Sequence, residues 1–303
     1  MNIIGRRKIW FSIWAVFFAL GVLGIIFGGL KPGLDFTGGS FLELEGINNT
    51  LKVKEVLGNS KIELVSVDKT GDNQVKIQTK VLPDETHKKI LEELKKANEG
   101  KEIKEIRFET IGPTVSREIT QKAYLSIALA SLMIILYVAW SFRKVSRPVA
   151  SWKYGACAVT AILHDVLFVV GAFSVLGVLF HIEVDSLFVT ALLTVISFSV
   201  HDTIVIFDRI RENLKRSAKE NFEEIVNDSV VEMIGRDINT TLVIIFVILA
   251  LILMGGATIR TFVLAMLLGM ITGTYSSIFI ASPLLVVWKN WDDRRNQRKS
   301  LNS

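Results

Sequence analysis

The run VISFSVHDTIVIFDRIREN, Val195 to Asn213, sets a histidine and an aspartate, His201 and Asp202, side by side within an apolar stretch that then turns abruptly charged. A second such pair, His164 and Asp165, lies in another apolar stretch, and the motif GRDINTT supplies Arg236 and Thr240. Imidazole and carboxylate groups gain and lose protons, whereas a guanidinium is a permanent cation that an ionised carboxylate holds and a protonated one releases. An unpaired charge is costly in an apolar medium, so this set of residues suits a cycle of proton binding and release.

The positions fit that chemistry if the stretches are helices. At about 3.6 residues per turn, Thr190, Thr194, Ser197, His201 and Asp208 fall on one stripe, with Asp202 and Arg209 beside it. With the membrane edge near Phe207, Asp202 lies about 7 Å inside at a rise of about 1.5 Å per residue. A carboxylate at that depth is expected to face the bundle interior or a wet cavity with a partner. Arg236 and Thr240 start at the same boundary on the returning helix, and an arginine side chain can bridge the gap to Asp202. The His164–Asp165 pair begins roughly 18 Å from that boundary, about 10 Å from Asp202 in depth. The two pairs are therefore read as successive stations of a proton path. They are poorly placed to share a metal ion, whose ligands lie within about 2.2 Å of it, and no metal or other cofactor is expected.

Composition places these stretches in a bilayer. Half of the 303 residues are hydrophobic, 50%, and the mean hydropathy of +0.43 is too high for an ordinary soluble domain. Six runs approach the roughly 20 apolar residues that a membrane helix needs: about Ile9–Leu30, Ala123–Trp140, Trp152–Leu176, Leu187–Phe207, Ile238–Met254 and Phe262–Trp288. Lysine and arginine cluster in GRRK, in SFRKVSRPVASWK, between Arg209 and Arg236, and in the tail WKNWDDRRNQRKS, while FHIEVDS has neither. By the positive-inside rule both termini are cytoplasmic and residues 31–122 lie outside. The net charge of +5 follows this asymmetry and points to anionic lipid rather than nucleic acid. Trp10, Trp14, Trp140, Trp152, Trp288 and Trp291 fall near the inner boundaries, as an interfacial belt would. The first span is too long for a signal peptide and no small-residue cleavage site follows, so it reads as an uncleaved anchor. The single Cys157 falls within a span and excludes an internal disulfide.

The resulting organisation is residues 1–30 as N-terminus and first span, 31–122 as an extracytoplasmic domain, 123–288 as a five-helix bundle with a cytoplasmic loop at 208–237, and 289–303 as a basic tail. In the outer domain SFLELE, KIELVSVD, QVKIQTK and EIKEIRFET read as strands. NTLKVKEVLG and DETHKKILEELKKANEG read as helices, the second stopping at Gly100. Strand-helix-strand-strand-helix-strand is the ferredoxin-like order. His87 falls on the charged face of its helix and reads as solvated. GLDFTGGS lacks the Gly-Lys-Ser/Thr ending of a phosphate loop. It reads instead as a tight exit from the membrane at Gly33, Gly38 and Gly39. Gly24, Gly28, Gly269 and Gly273 read as close helix-packing points.

SFSVHDTIVIFDRIREN, the paired DFTGG and IGPTVS around the small outer domain, and GRDINTT at the fifth span together resemble the SecF family, the smaller half of the bacterial SecDF protein-export factor. The resemblance covers nearly the whole chain. It implies an α-helical polytopic membrane protein of the resistance-nodulation-division superfamily, set in the bacterial plasma membrane. It further implies that the protein pairs with SecD beside the SecYEG channel and a YidC-type insertase, using the proton motive force to help pull the translocating polypeptide outward. The family's membrane carboxylate falls on Asp202, and its arginine and threonine fall on Arg236 and Thr240. Asp35, Gly38, Gly39, Gly112 and Pro113 belong to the structural motifs. The sequence departs from the family at His201, where asparagine is more usual; the histidine either titrates or replaces an amide. Deprotonated Asp202 would pair with Arg236, and its protonation would release the arginine. Two alternatives stay open: a self-dimerising exporter of lipids or small molecules from the same superfamily, and a passive scaffold subunit of the translocon. No motif supports a soluble enzyme.

Overall fold

The computed structural model describes residues 1–47, 50–59, 62–70, 73–98, 103–141, 149–216 and 221–301. In chain order the elements are α1 (Arg7–Phe27), α2 (Leu34–Thr37), β1 (Gly39–Glu45), α3 (Thr50–Asn59), β2 (Leu64–Thr70), β3 (Gln74–Thr79), α4 (Asp84–Ala97), β4 (Lys104–Ile111), α5 (Pro113–Ser141), α6 (Ser151–Phe180), α7 (Ser186–Arg216) and α8 (Phe222–Met254). A 3-10 turn (Ala257–Ile259) then leads into α9 (Arg260–Ser276), a π turn (Ser277–Ala281) and α10 (Ser282–Leu301). The chain divides into two compact units, Pro32–Tyr124 and Met1–Lys31 with Leu125–Ser303.

The smaller unit has the expected ferredoxin-like plait. Its sheet order is β2-β3-β1-β4 and every neighbouring pair is antiparallel. Alternation in β1 and β3 turns Leu42, Leu44, Val75 and Ile77 onto one face, where they are buried with Val53 and Leu57 of α3 and Ile90 and Leu94 of α4. A buried aliphatic side chain of this kind contributes about 1.5–3 kcal/mol, so this face holds the unit together. Helix α4 carries Asp84 and Glu85 in its first turn and Lys95 and Lys96 in its last, which complements its dipole. It ends at Ala97 with Asn98 as its cap; the expected stop at Gly100 lies outside the described residues. The two glycine motifs meet in this unit, since Gly39 pairs with Ile111 in the sheet and a side chain at Gly38 would meet the Ser116 hydroxyl at 3.0 Å. Both glycines have positive φ, +68° and +118°, which explains their place in the tight turn from α2 into β1. Asp35 lies in the first turn of α2. The Gly112 carbonyl accepts from Ser116 N, and Pro113 opens α5, where a missing N–H costs nothing.

His87 is not solvated. Its ring stacks on Phe108 of β4 at 3.7 Å and 3° between planes, and Nε2 lies 3.2 Å from a Glu105 carboxylate oxygen, at ion-pair distance but poorly aligned for a hydrogen bond. The helical spacing put this histidine with its charged neighbours; the sheet edge claimed it because a flat ring covers Phe108.

Among the described residues six helices are long and apolar enough to cross a membrane: α1, α5, α6, α7, α8 and the continuous α9–π–α10 run. Between such helices close packing takes over from the hydrophobic effect, and α1 crosses α6 where Gly21 meets Gly171, flanked by Gly24 and Gly28 against α6. Gly269 and Gly273 of α9 receive Val195 and Ser199 of α7. All four glycines read from sequence as packing points serve as such.

The helices outrun the apolar stretches. The expected loop at 208–237 is instead helical over 208–216 and 222–237, because α7 and α8 both continue past the apolar zone. Phe207, Ile210, Val226 and Val230 keep these extensions in the core, and Arg209 reaches Glu232 at 2.5 Å across them. Asn221 caps α8 through the Glu223 N–H. Against the same end lies the N-terminal segment, whose Ile3 and Ile4 are buried with their N–H groups on Asn227. The basic tail is helical as far as Leu301, as part of α10. Near it Lys153 pairs with Asp292 between the rings of Trp152 and Trp288. Trp14 departs from the interfacial pattern: its indole nitrogen is buried and its ring lies 6.2 Å from that of His164.

Candidate functional site

Among apolar walls, α6, α7, α8 and α9 bring together a ladder of buried polar groups. Its deeper rung centres on Asp165, which is fully buried. One carboxylate oxygen lies 2.9 Å from Nδ1 of His164, and the other accepts from Ser199 Oγ at 2.5 Å and Ser276 Oγ at 2.7 Å. Three helices are thus tied through one carboxylate, each bond strengthened by its low-dielectric setting.

The next rung is one turn along α7. Thr203 and Ser277 share a hydrogen bond of 2.8 Å, and Ser277 Oγ also donates to the Ser199 carbonyl at 3.2 Å. Ser277 can reach α7 because the last span unwinds into its π turn there. Such turns free backbone groups inside a helix and often mark functional positions. Asp202 is 9% exposed and makes no hydrogen bond or ion pair among the described residues. It lies within electrostatic reach of Asp237, His201 and Arg236. Ser199 and Asp202 are three residues apart, about 4.5 Å of rise. Since Ser199 bonds Asp165 directly, the two His-Asp pairs are closer in depth than the roughly 10 Å the residue count implied.

On α8 the ion pair expected between Arg236 and Asp202 is absent. The Arg236 guanidinium, 47% exposed, donates instead to Oδ1 of Asp237 at 2.9 and 3.3 Å, while Asp237 is 1% exposed. Thr240 is exposed, its hydroxyl bonded back to the Arg236 carbonyl at 2.9 Å. The buried threonine is Thr241, one turn from Asp237, and it shares a 2.7 Å hydrogen bond with Thr274 of α9. Helical phase decides this, because residues 237 and 241 lie on the face turned into the bundle and 236 and 240 on its flank.

The stripe on α7 divides in the same way. Thr190, Ser197, His201 and Asp208 are exposed in the single chain, while Asp202, Thr203 and Ser199 are buried. Spacing alone did not single out Asp237, Thr241, Ser199, Thr203, Thr274, Ser276 or Ser277. The signals for some were present: paired serines interrupt the apolar TYSSIFIAS, and Asp237 sits inside GRDINTT itself.

Residues 90–291 match the family model described as protein export membrane protein SecD/SecF, C-terminal. The chain is 43% identical to the protein translocase subunit SecF of Thermobaculum terrenum, over 99% of this chain and 98% of that one. It is 39% identical to the SecF of Anaerolinea thermophila, over 97% of each. Among solved structures it is similar to SecDF, a translocon-associated membrane protein from Thermus thermophilus, with a TM-score of 0.81 and 30% identity. That similarity covers 96% of this chain and 39% of the longer one.

Proposed function

The chain belongs to the SecD/SecF family of protein export membrane proteins, and from that premise we propose that it is a SecF subunit of a translocation accessory complex, coupling proton movement at Asp202 to export. The observation that carries the proton reading is a buried carboxylate without a bonded partner among the described residues, set on α7 within electrostatic reach of a half-exposed arginine on α8 that is held by a different aspartate. A protonated Asp202 would leave Arg236 to Asp237, which fits the Arg236–Asp237 ion pair. Loss of that proton would draw Arg236 to Asp202 and repack α7 against α8, so that charge state biases a two-state element. The fully buried His164 and Asp165 continue the same polar ladder as a further station of the path.

The partner is a SecD-type chain. The exposed stripe of Thr190, Ser197 and His201 would be costly against lipid, and a second six-span bundle would cover it. This chain spans about two fifths of the Thermus SecDF polypeptide, which leaves room there for such a half. The complex would work beside the SecYEG channel, with a YidC-type insertase nearby and the translocating polypeptide outside. Both termini face the cytoplasm and the plait faces outward, following the distribution of lysine and arginine. Relatives named as translocase subunits weigh against a self-dimerising exporter.

Asp202→Asn tests the coupling, because it keeps shape and removes titration. In vesicles reconstituted with the SecD-type partner and the channel, the variant should assemble normally and lose the stimulation of export by an imposed proton gradient. Full stimulation in the variant would sink the proton role and leave a scaffold.

A further inference from the structure

Asp237 is the group that the proton reading does not use. One of its oxygens holds Arg236; the other is buried and has no hydrogen-bond partner among the described residues. Asp202 lies within its electrostatic reach from α7, and both carboxylates sense His201 and Arg236. The groups that α9 and the π turn bring to this level are hydroxyls, Thr274 on Thr241 and Ser277 on Thr203. Two carboxylates and one guanidinium are therefore the charged groups of this level, with His201 at its exposed margin and the His164–Asp165 pair reached through Ser199, one turn back along α7.

We propose that Asp202 and Asp237 act as one proton-carrying pair, exchanging Arg236 between them as the proton moves the other way. This rests on the proton-coupled reading above and adds Asp237 to it as a titrating partner. With both aspartates ionised the three groups carry one excess negative charge, which an apolar interior opposes; a single proton neutralises the set. With Arg236 on Asp237 the proton resides on Asp202. When an O–H bond breaks on Asp202 and one forms on Asp237, the guanidinium passes to Asp202 and the total charge is unchanged. The unpartnered oxygen of Asp237 is where that proton would land. Arg236 fits the traffic, being half exposed on the flank of α8 rather than locked within the core.

The test is an infrared titration of carboxyl groups in the full chain, assembled with its partner in lipid, alongside the vesicle export assay. In the unaltered protein the pair should titrate in two separate steps, as strongly interacting sites do. Asp237→Asn should remove one step, displace the other by about one pH unit or more, and reduce gradient-driven stimulation to the level of Asp202→Asn. Asp237→Glu should keep both steps with altered midpoints and restore part of the stimulation. If Asp237→Asn keeps the unaltered number of steps and the same pH profile of export, Asp237 is only a static anchor for Arg236 and the pairing is wrong. Should Asp237→Asn fail to assemble, Asp237→Glu decides alone, since unchanged midpoints with a displaced carboxyl would equally overturn the pair. Retention of stimulation by Asp202→Asn would instead remove the underlying proton reading, whatever Asp237 does.

Discussion

Asp165 gathers hydrogen bonds from His164 on its own helix, Ser199 on α7 and Ser276 on α9, all within a fully buried setting. Leaving a buried acceptor short of a donor costs about 1–3 kcal/mol, so Ser276→Ala should destabilise the bundle by that order. Ser199→Ala should cost a similar amount. The double variant should exceed the sum by about 0.5–3 kcal/mol, because Oδ2 would then be buried with neither donor. Thermal unfolding of the purified chain in detergent measures all three, and strict additivity would mean that the hydroxyls do not act on one carboxylate. At the level of single residues this network binds α6, α7 and α9 together, whereas Asp202, without bonds of its own, is free to change partners.

The elements that hold these residues differ in how tightly they are joined. At the crossing of α1 and α6, a Cβ on Gly171 would stand 2.3 Å from the Cα of Gly21, a backbone atom that can yield only by parting the helices. Gly171→Ala should therefore destabilise the larger unit by about 1–3 kcal/mol, as overpacking does. Gly58 in α3 has open space where its Cβ would be. There an alanine should be neutral or stabilising by up to about 1 kcal/mol, and the pair of melting temperatures checks both expectations. The ends of α7 and α8 are joined differently, by Arg209–Glu232 and by Asn213–Ser229.

For the whole molecule the proposed orientation has a direct consequence. Single cysteines at Asn73 in the plait and Asn296 in the tail, introduced with Cys157→Ala so that the buried native thiol is removed, should label on opposite sides of the membrane. An impermeant thiol reagent applied to intact cells should reach position 73 and spare position 296. Labelling of position 296 from outside would reverse the topology and with it the side from which protons enter.

The sequence by itself determined the classes of element and their order. Six apolar runs, strand alternation in SFLELE and QVKIQTK, and helical spacing around Ile90 and Leu94 are local patterns, and local patterns fix local geometry. The sequence also marked Asp202 and His164–Asp165, because ionisable groups stand out in an apolar run. It did not determine partners. Arg236 turns to Asp237 rather than Asp202, Thr241 rather than Thr240 enters the interior, and His87 covers Phe108 rather than meeting water. Each choice depends on the rotation of one element against a neighbour far away in the chain. A shift of a single residue turns a helix by about 100°, so only the packed tertiary structure decides which of two adjacent side chains faces the site.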